Sequence, residues 1–303
     1  MSQNHGTCSL RPAAHPPFRR FSMKHFFKTA AVASISVLAL AGCSASTGGP
    51  AAAGNDLTPK GLVNAGQATL CIDPEYPPLE YYANGSGGDI VGFDADAGRA
   101  LADYWGVKVK FEVTSFDGLM PGLQTGRCDM ILGGLYTSPA RLQVADAAPI
   151  MNAGPTALAA PGLAGDLKSK LDLCGRKVVA QAASSNAATV AAMGDECKAA
   201  GKAAPTLSEY PKTSDTVLAV LNGKADVLVE TNVAAAYMVT QNKGKLEVAA
   251  QVFDPDTQFG VFSKKGGSLS PEIASAFKAL KADGSLGKIA AKYNLDPTIL
   301  DVK

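Results

Sequence analysis

Residues 107–141 read VKVKFEVTSFDGLMPGLQTGRCDMILGGLYTSPAR. Val107, Val109, Phe111 and Val113 alternate with Lys108, Lys110 and Glu112, the period-two pattern of a strand. Asp117 to Thr125 predicts a short helix that Gly126 ends, and Met130-Ile131-Leu132 a buried strand running into Gly133-Gly134. Strand, helix, strand in that order is a βαβ unit, which brings its two strands parallel.

The same pattern extends both ways. Upstream, Ala68 to Ile72 is a strand that breaks at Asp73-Pro74, and Pro77-Pro78 keeps the following loop extended. Gly85 to Gly88 reads as a turn. Asp94 is positioned as the N-cap of a helix carrying Ala97, Leu101, Tyr104 and Trp105, closed by Gly106. Downstream come a strand at Lys177 to Ala180, a helix from Ser185, a helix from Thr213 to Asn222, a strand at Ala225 to Val229, a helix from Asn232 and a short strand at Leu246 to Ala249. Ser270-Pro271-Glu272 is a helix start, with Ile273, Phe277 and Leu280 as its apolar stripe and Gly284 its stop; Leu286, Ile289, Ala290 and Tyr293 make a last helix. The fold class is therefore α/β with mainly parallel sheets, whose ligands sit beyond the carboxyl ends of the strands.

The chain has 303 residues, 47% of them apolar, enough for two packed lobes. With 28 basic and 27 acidic residues the net charge is +1, so nothing draws it to nucleic acid. Lys24 and Lys28 precede an apolar run, Thr29 to Ala41, that is too short to span a bilayer and reads as an export signal. Its end, Leu40-Ala41-Gly42-Cys43, resembles the lipobox of bacterial lipoproteins, in which the cysteine is acylated and becomes the mature N-terminus. Residues 1–22 precede a second methionine, Met23, and receive no structure. Ser44 to Asp56 is small and almost uncharged, a tether. Of six cysteines, Cys71, Cys128, Cys174 and Cys197 remain in the mature body. Three pairings are possible; Cys71–Cys128 and Cys174–Cys197 each stay within one predicted lobe, and free buried thiols are the alternative. His5, His15 and His25 all lie in the leader and there is no CxxC, so neither a metal site nor a cofactor is expected.

Several residues follow the carboxyl ends of predicted strands. Arg141, after the glycines at 133–134, suits a carboxylate, with Gly134 and Tyr136 offering backbone groups; it also fits a surface arginine at a helix start. Glu230 ends a strand and would hold an ammonium group or cap the next helix. Tyr76 and Phe116 would flank a solute or fill the core. Ser184 and Ser185 would cap their helix or meet a carboxylate. Asp73 would hold a polar ligand side chain or its own turn. Asp94, Tyr104 and Trp105 are assigned to structure.

Together, Asp73 to Glu80, Val91 to Asp96, Ser115 to Gly126, Cys128 to Arg141, Val179 to Ser185 and Leu221 to Val227 resemble, in order and spacing, the polar-amino-acid family of solute-binding proteins that serve ABC importers, bacterial extracellular solute-binding proteins of family 3. The resemblance spans roughly Leu70 to Tyr293. It implies a two-lobed, type II periplasmic-binding-protein-like clamp: two βα sandwich lobes joined by two crossover strands near Asn152 to Thr156 and Gln258 to Val261. The expected organisation is leader and signal at 1–43, tether at 44–63, lobe 1 at 64–153 plus 258–303, and lobe 2 at 154–257. It implies that Tyr76 and Phe116 flank the ligand, Asp73 touches its side chain, Gly134 and Tyr136 offer backbone groups to its amino and carboxylate ends, Arg141 pairs the carboxylate that Ser185 with Ser184 caps, and Glu230 holds its ammonium. Tyr136 stands where the family usually has a small hydroxyl residue, and Glu230 where Asp is usual. The expected protein is a monomeric, non-enzymatic, lipid-anchored extracytoplasmic receptor for an amino acid, partnered by an ABC permease. The alternatives are a sensing subunit of a signalling system and a dehydratase-type enzyme on the same fold.

Overall fold

A computed structural model of the chain describes residues 57–254 and 256–302. Cys43, the signal and most of the tether lie outside the described residues. In chain order the elements are β1 (Gln67–Ile72), β2 (Glu75–Tyr76), β3 (Glu80–Tyr82), β4 (Ile90–Val91), α1 (Phe93–Trp105), β5 (Lys108–Val113), α2 (Leu119–Gln124), β6 (Met130–Ile131), α3 (Pro139–Val144) and β7 (Ala145–Ala153), then β8 (Pro155–Ala159), α4 (Pro161–Ala164), β9 (Lys177–Gln181), α5 (Ser185–Ala199), β10 (Thr206–Tyr210), α6 (Thr213–Leu221), β11 (Val227–Thr231), α7 (Asn232–Gln241), β12 (Glu247–Ala249), β13 (Thr257–Lys264), α8 (Leu269–Ala282) and α9 (Ser285–Lys292).

They build two five-stranded sheets, ordered β5-β1-β6-β13-β7 and β10-β9-β11-β8-β12, and a small sheet β2-β3-β4. In each large sheet three strands are parallel and the other two join antiparallel. The sheets are thus mixed, because the crossover strands enter against the βαβ direction. The central strands β1, β9 and β11 are almost wholly buried, as short apolar runs covered on both faces must be. No helix among the described residues is long and apolar enough to cross a membrane.

Strand β7 corrects the sequence reading, which placed a crossover near Asn152 to Thr156 but no strand from Ala145 to Met151. Pro149 hides it. β7 is an edge strand, where a missing N–H costs no ladder bond, and its register against β13 shifts between Phe259 and Gly260, opposite Pro149. The loop at Pro77-Pro78 is also not extended: it turns β2 back onto β3, with the Leu79 N–H donating to the Tyr76 carbonyl.

Helix α1 buries Phe93, Ala97, Leu101 and Trp105 at four-residue spacing and ends at Gly106 in the left-handed conformation. Its N-cap is Gly92, not Asp94. Gly92 has φ +118° and packs so closely that a Cβ would overlap the Leu79 carbonyl. Asp94 lies within the first turn and accepts the Gly134 N–H. Helix α8 likewise starts earlier than read, at Leu269 with Ser268 as N-cap, while Ile273, Phe277 and Leu280 are buried as the stripe predicts. The disulfides are Cys71–Cys128 and Cys174–Cys197, so the free-thiol alternative falls.

Candidate functional site

The small sheet and the segments that follow β5 and β6 of the first large sheet supply one wall. Tyr76, on β2, is buried, and its hydroxyl donates to Glu230 Oε1 at 2.8 Å and lies 2.6 Å from Thr231 Oγ1. Phe116 follows β5. The Arg141 guanidinium, on α3, sits 5.8 Å from the Phe116 ring centroid and donates from Nη1 to the Tyr136 carbonyl at 3.2 Å. Among the described residues no carboxylate pairs with Arg141. Burial pulls its pKa down from 12.5 to about 10.

Gly134 was expected to leave its N–H for a ligand. That N–H instead donates to Asp94 Oδ2 at 2.9 Å. Gly134 has φ +58°, and a Cβ there would lie 2.8 Å from Tyr76 Cε1. Gly134→Ala should therefore lower stability by about 1–3 kcal/mol, from the left-handed backbone and the ring it displaces; a thermal melt unchanged from the parent would contradict this packing. Tyr136 stacks on Phe259 of β13, with centroids 5.1 Å apart and planes 19° apart. The flanking bonds, Thr137 N–H to Gln258 and Gly260 N–H to Leu135, leave the Tyr136 N–H and carbonyl pointing away from β13.

The second sheet supplies the opposite wall. Ser184 caps α5 by accepting the Ala187 N–H at 3.0 Å, and Ser185 is the first residue of that helix. Asn186 is buried and its Oδ1 has no partner. The Tyr136 hydroxyl is also buried without a hydrogen bond, though the Asn186 side chain beside it counteracts part of the rise that burial and Glu230 impose on the phenol. Glu230, 3% exposed at the end of β11, accepts from the Thr231 N–H at 2.7 Å and from Tyr76, and among the described residues pairs with no cation. Burial raises its pKa from 4.5 to about 7 against those two bonds. Thr231 caps α7 through the Ala234 N–H.

One cavity joins these walls. It is lined by Tyr76, Phe116, Gly134, Tyr136, Arg141, Ser184, Ser185 and Glu230, eight of the nine residues singled out by sequence. The ninth, Asp73, lines the adjoining cavity with Glu75 and Lys212; burial, then Glu75, raises its pKa to about 6. Three further lining residues, Gln181, Asn186 and Thr231, were missed. Gln181, a polar end to an apolar strand, and Thr231, a helix-capping type right after Glu230, were the available signals.

Residues 68–296 match the sequence profile of bacterial extracellular solute-binding proteins, family 3. The chain belongs to this family. It is 26% identical over 254 residues to the arginine-binding protein ArgT of Corynebacterium glutamicum, covering 81% of this chain and 80% of that one. It is 23% identical over 270 residues to the L-cystine-binding protein TcyA of Bacillus subtilis, covering 86% and 93%. An ancestral arginine-binding protein bound to arginine superposes with a TM-score of 0.68 at 28% identity, over 75% of this chain and 98% of that one. The two-lobed α/β clamp of solute-binding proteins is thus the fold of this chain.

In this solute-binding protein side-chain bonds already join the two walls: Tyr76 to Glu230 and Thr231, and Lys212 to Glu75 at 2.6 Å. The exposed ion pair contributes little. The buried tyrosine contributes more. Tyr76→Phe should weaken ligand affinity by about 1–2 kcal/mol by leaving Glu230 short of a donor; calorimetry giving the parent's affinity would count against that role.

Proposed function

We propose that this solute-binding protein closes its two lobes around an L-amino acid and hands it to the permease of an ABC importer. The observation that carries this reading is that Arg141 and Glu230, both buried, line one cavity from opposite walls, each without a counter-ion among the described residues. An amino-acid zwitterion supplies both missing charges: its carboxylate to Arg141, with the Tyr136 N–H and the start of α5, and its ammonium to Glu230. Tyr76 and Phe116 flank the body of the ligand, and Asp73 lies along the path of its side chain, where a basic or polar group has an acceptor. Only closure brings both anchors to one molecule, so the ligand shifts the open–closed equilibrium by hinge motion.

The protein works as a receptor and not as an enzyme. Of the two acids an enzyme reading would use, Glu230 is taken up by the ligand's ammonium and Asp73 by its side chain, which leaves neither as a general acid. It acts as a monomer, outside the cytoplasm, with Cys43 acylated as the membrane anchor and residues 44–63 as the tether. A thermal-shift screen over the standard L-amino acids and L-cystine tests the proposal, with L-arginine and L-lysine as the first probes. At least one should raise the unfolding midpoint in a concentration-dependent way. A set in which only carboxylic acids without an amine do so would overturn it.

A further inference from the structure

Behind the Gly133–Gly134 turn two acids are buried against each other. Glu80 on β3 is 1% exposed and Asp94 on α1 is 3% exposed. Their carboxyls lie within hydrogen-bonding reach. Among the described residues neither touches a cation, and Glu80 Oε2 has no partner in the protein. Asp94 Oδ2 accepts the Gly134 N–H, and a Cβ on Gly133 would lie 3.5 Å from Glu80 Oε1. Glu80 pairs across the hairpin with Tyr76, whose ring rests on Gly134. The acids therefore brace both the turn and the aromatic that line the cavity.

Two adjacent buried carboxylates repel strongly, and neither has a positive partner to relieve it. We propose that Glu80 and Asp94 are positioning residues that share one proton, Glu80 donating to the Asp94 carboxylate, and that this pair fixes the Gly133–Gly134 turn of the cleft. The functional consequence rests on the cavity being the ligand site; the shared proton does not, and is tested without ligand.

Burial raises Glu80 well above its ordinary value and Asp94 to about 6. Both folded-state values exceed the unfolded ones, so the pair's contribution to stability is full at acid pH and is lost as pH rises through the folded values, when the shared proton leaves for solvent. The other groups facing the pair are Asp73 at the end of β1 and Tyr76 on β2; on α1, Asp96 is tied to Arg99 and Lys292. Asp73, at about 6, and Glu230, at about 7, titrate in the same window, so the test compares variants.

Glu80→Gln replaces the shared proton with an amide hydrogen that cannot dissociate. Ligand-free E80Q should melt close to wild type at pH 5 and roughly 3 °C or more above it at pH 8. Exchange protection of the peptide containing Gly134 should fall between those pH values in wild type and stay level in E80Q. The infrared band of protonated carboxyls at pH 7.5, to which Glu230 also contributes, should be stronger in wild type than in E80Q, and the difference should fade as the shared proton leaves at higher pH. Parallel melting curves, or no such difference between the bands, would overturn the proposal. If E80Q does not fold, the wild-type band decides the matter together with Asp94→Asn, in which it should vanish at a lower pH because the neighbouring carboxylate that holds Glu80 up is gone; a band with the same pH dependence in both would overturn the proposal. If E80Q behaves as expected yet no amino acid binds, the pair stands and the ligand assignment fails.

Discussion

Replacing Arg141 with methionine lowers affinity for the amino acid at least about thirtyfold, on the order of 2 kcal/mol or more, and leaves the ligand-free protein as stable as the parent or more so. The two halves share one cause. In the ligand-free protein the guanidinium is buried with only the Tyr136 carbonyl and the Phe116 ring as partners. Burial lowers its pKa to about 10, so holding it charged at neutral pH is a net cost to folding. A methionine of similar length fills the space without that cost. The bound ligand's carboxylate then loses its buried cationic partner and is left beside apolar atoms. Lysine at 141 should fall between, since a point charge replaces a two-pronged fork. Calorimetry and thermal melts on the same preparations read both effects. A variant that loses stability and binding together would mean that Arg141 holds the fold instead of the ligand.

The second large effect is a pH dependence carried by Glu230. Its pKa of about 7 in the ligand-free protein reflects burial without a cation. An ammonium group brought against it favours the carboxylate and lowers that value, so binding releases a proton wherever the free protein holds one. Affinity should be highest above pH 7 and fall about tenfold per pH unit below it, until the bound-state value is reached. Calorimetry in buffers of different ionisation enthalpy should detect close to one proton released at pH 6. Glu230→Gln should cut amino-acid affinity by roughly thirtyfold at pH 8 and flatten the profile between pH 6 and 8, because the amide keeps the shape and loses the charge. An acid of the same skeleton without the amine should bind both forms alike. Asp73 and Asp94 also titrate near 6, so the flattening in E230Q assigns the effect to position 230.

The βαβ rhythm was readable because the central strands are short apolar runs ended by Asp73, Gln181 and Glu230, and burial on both faces demands that pattern. The site followed from topology: parallel strands deliver their carboxyl-end loops to one edge, so Tyr76, Phe116, Arg141 and Glu230 could be named before any side chain was in view. What escaped depends on tertiary partners. Asp94 has the chemistry of an N-cap, but Gly92 takes that position and Asp94 reaches a glycine forty residues away. Pro149 argues against a strand unless the strand is known to lie at an edge. Asn186 and Thr231 sit at helix starts, where their side chains have local uses, and nothing local says they also face a cavity. Asp73 is separated from its sequence neighbour Tyr76 because the hairpin aims the two into different cavities.

The central claim is that one cavity holds both ends of a zwitterion at once. The most direct measurement takes the amino acid that binds best in the screen and compares it, by calorimetry on the wild-type protein at pH 8, with its own decarboxylated amine and its own deaminated acid. The account predicts that each analogue loses at least about a hundredfold in affinity, since each leaves either Arg141 or Glu230 buried and unpaired. An analogue that binds as tightly as the parent amino acid would show that one of those two charges does not face the ligand, and would contradict the account.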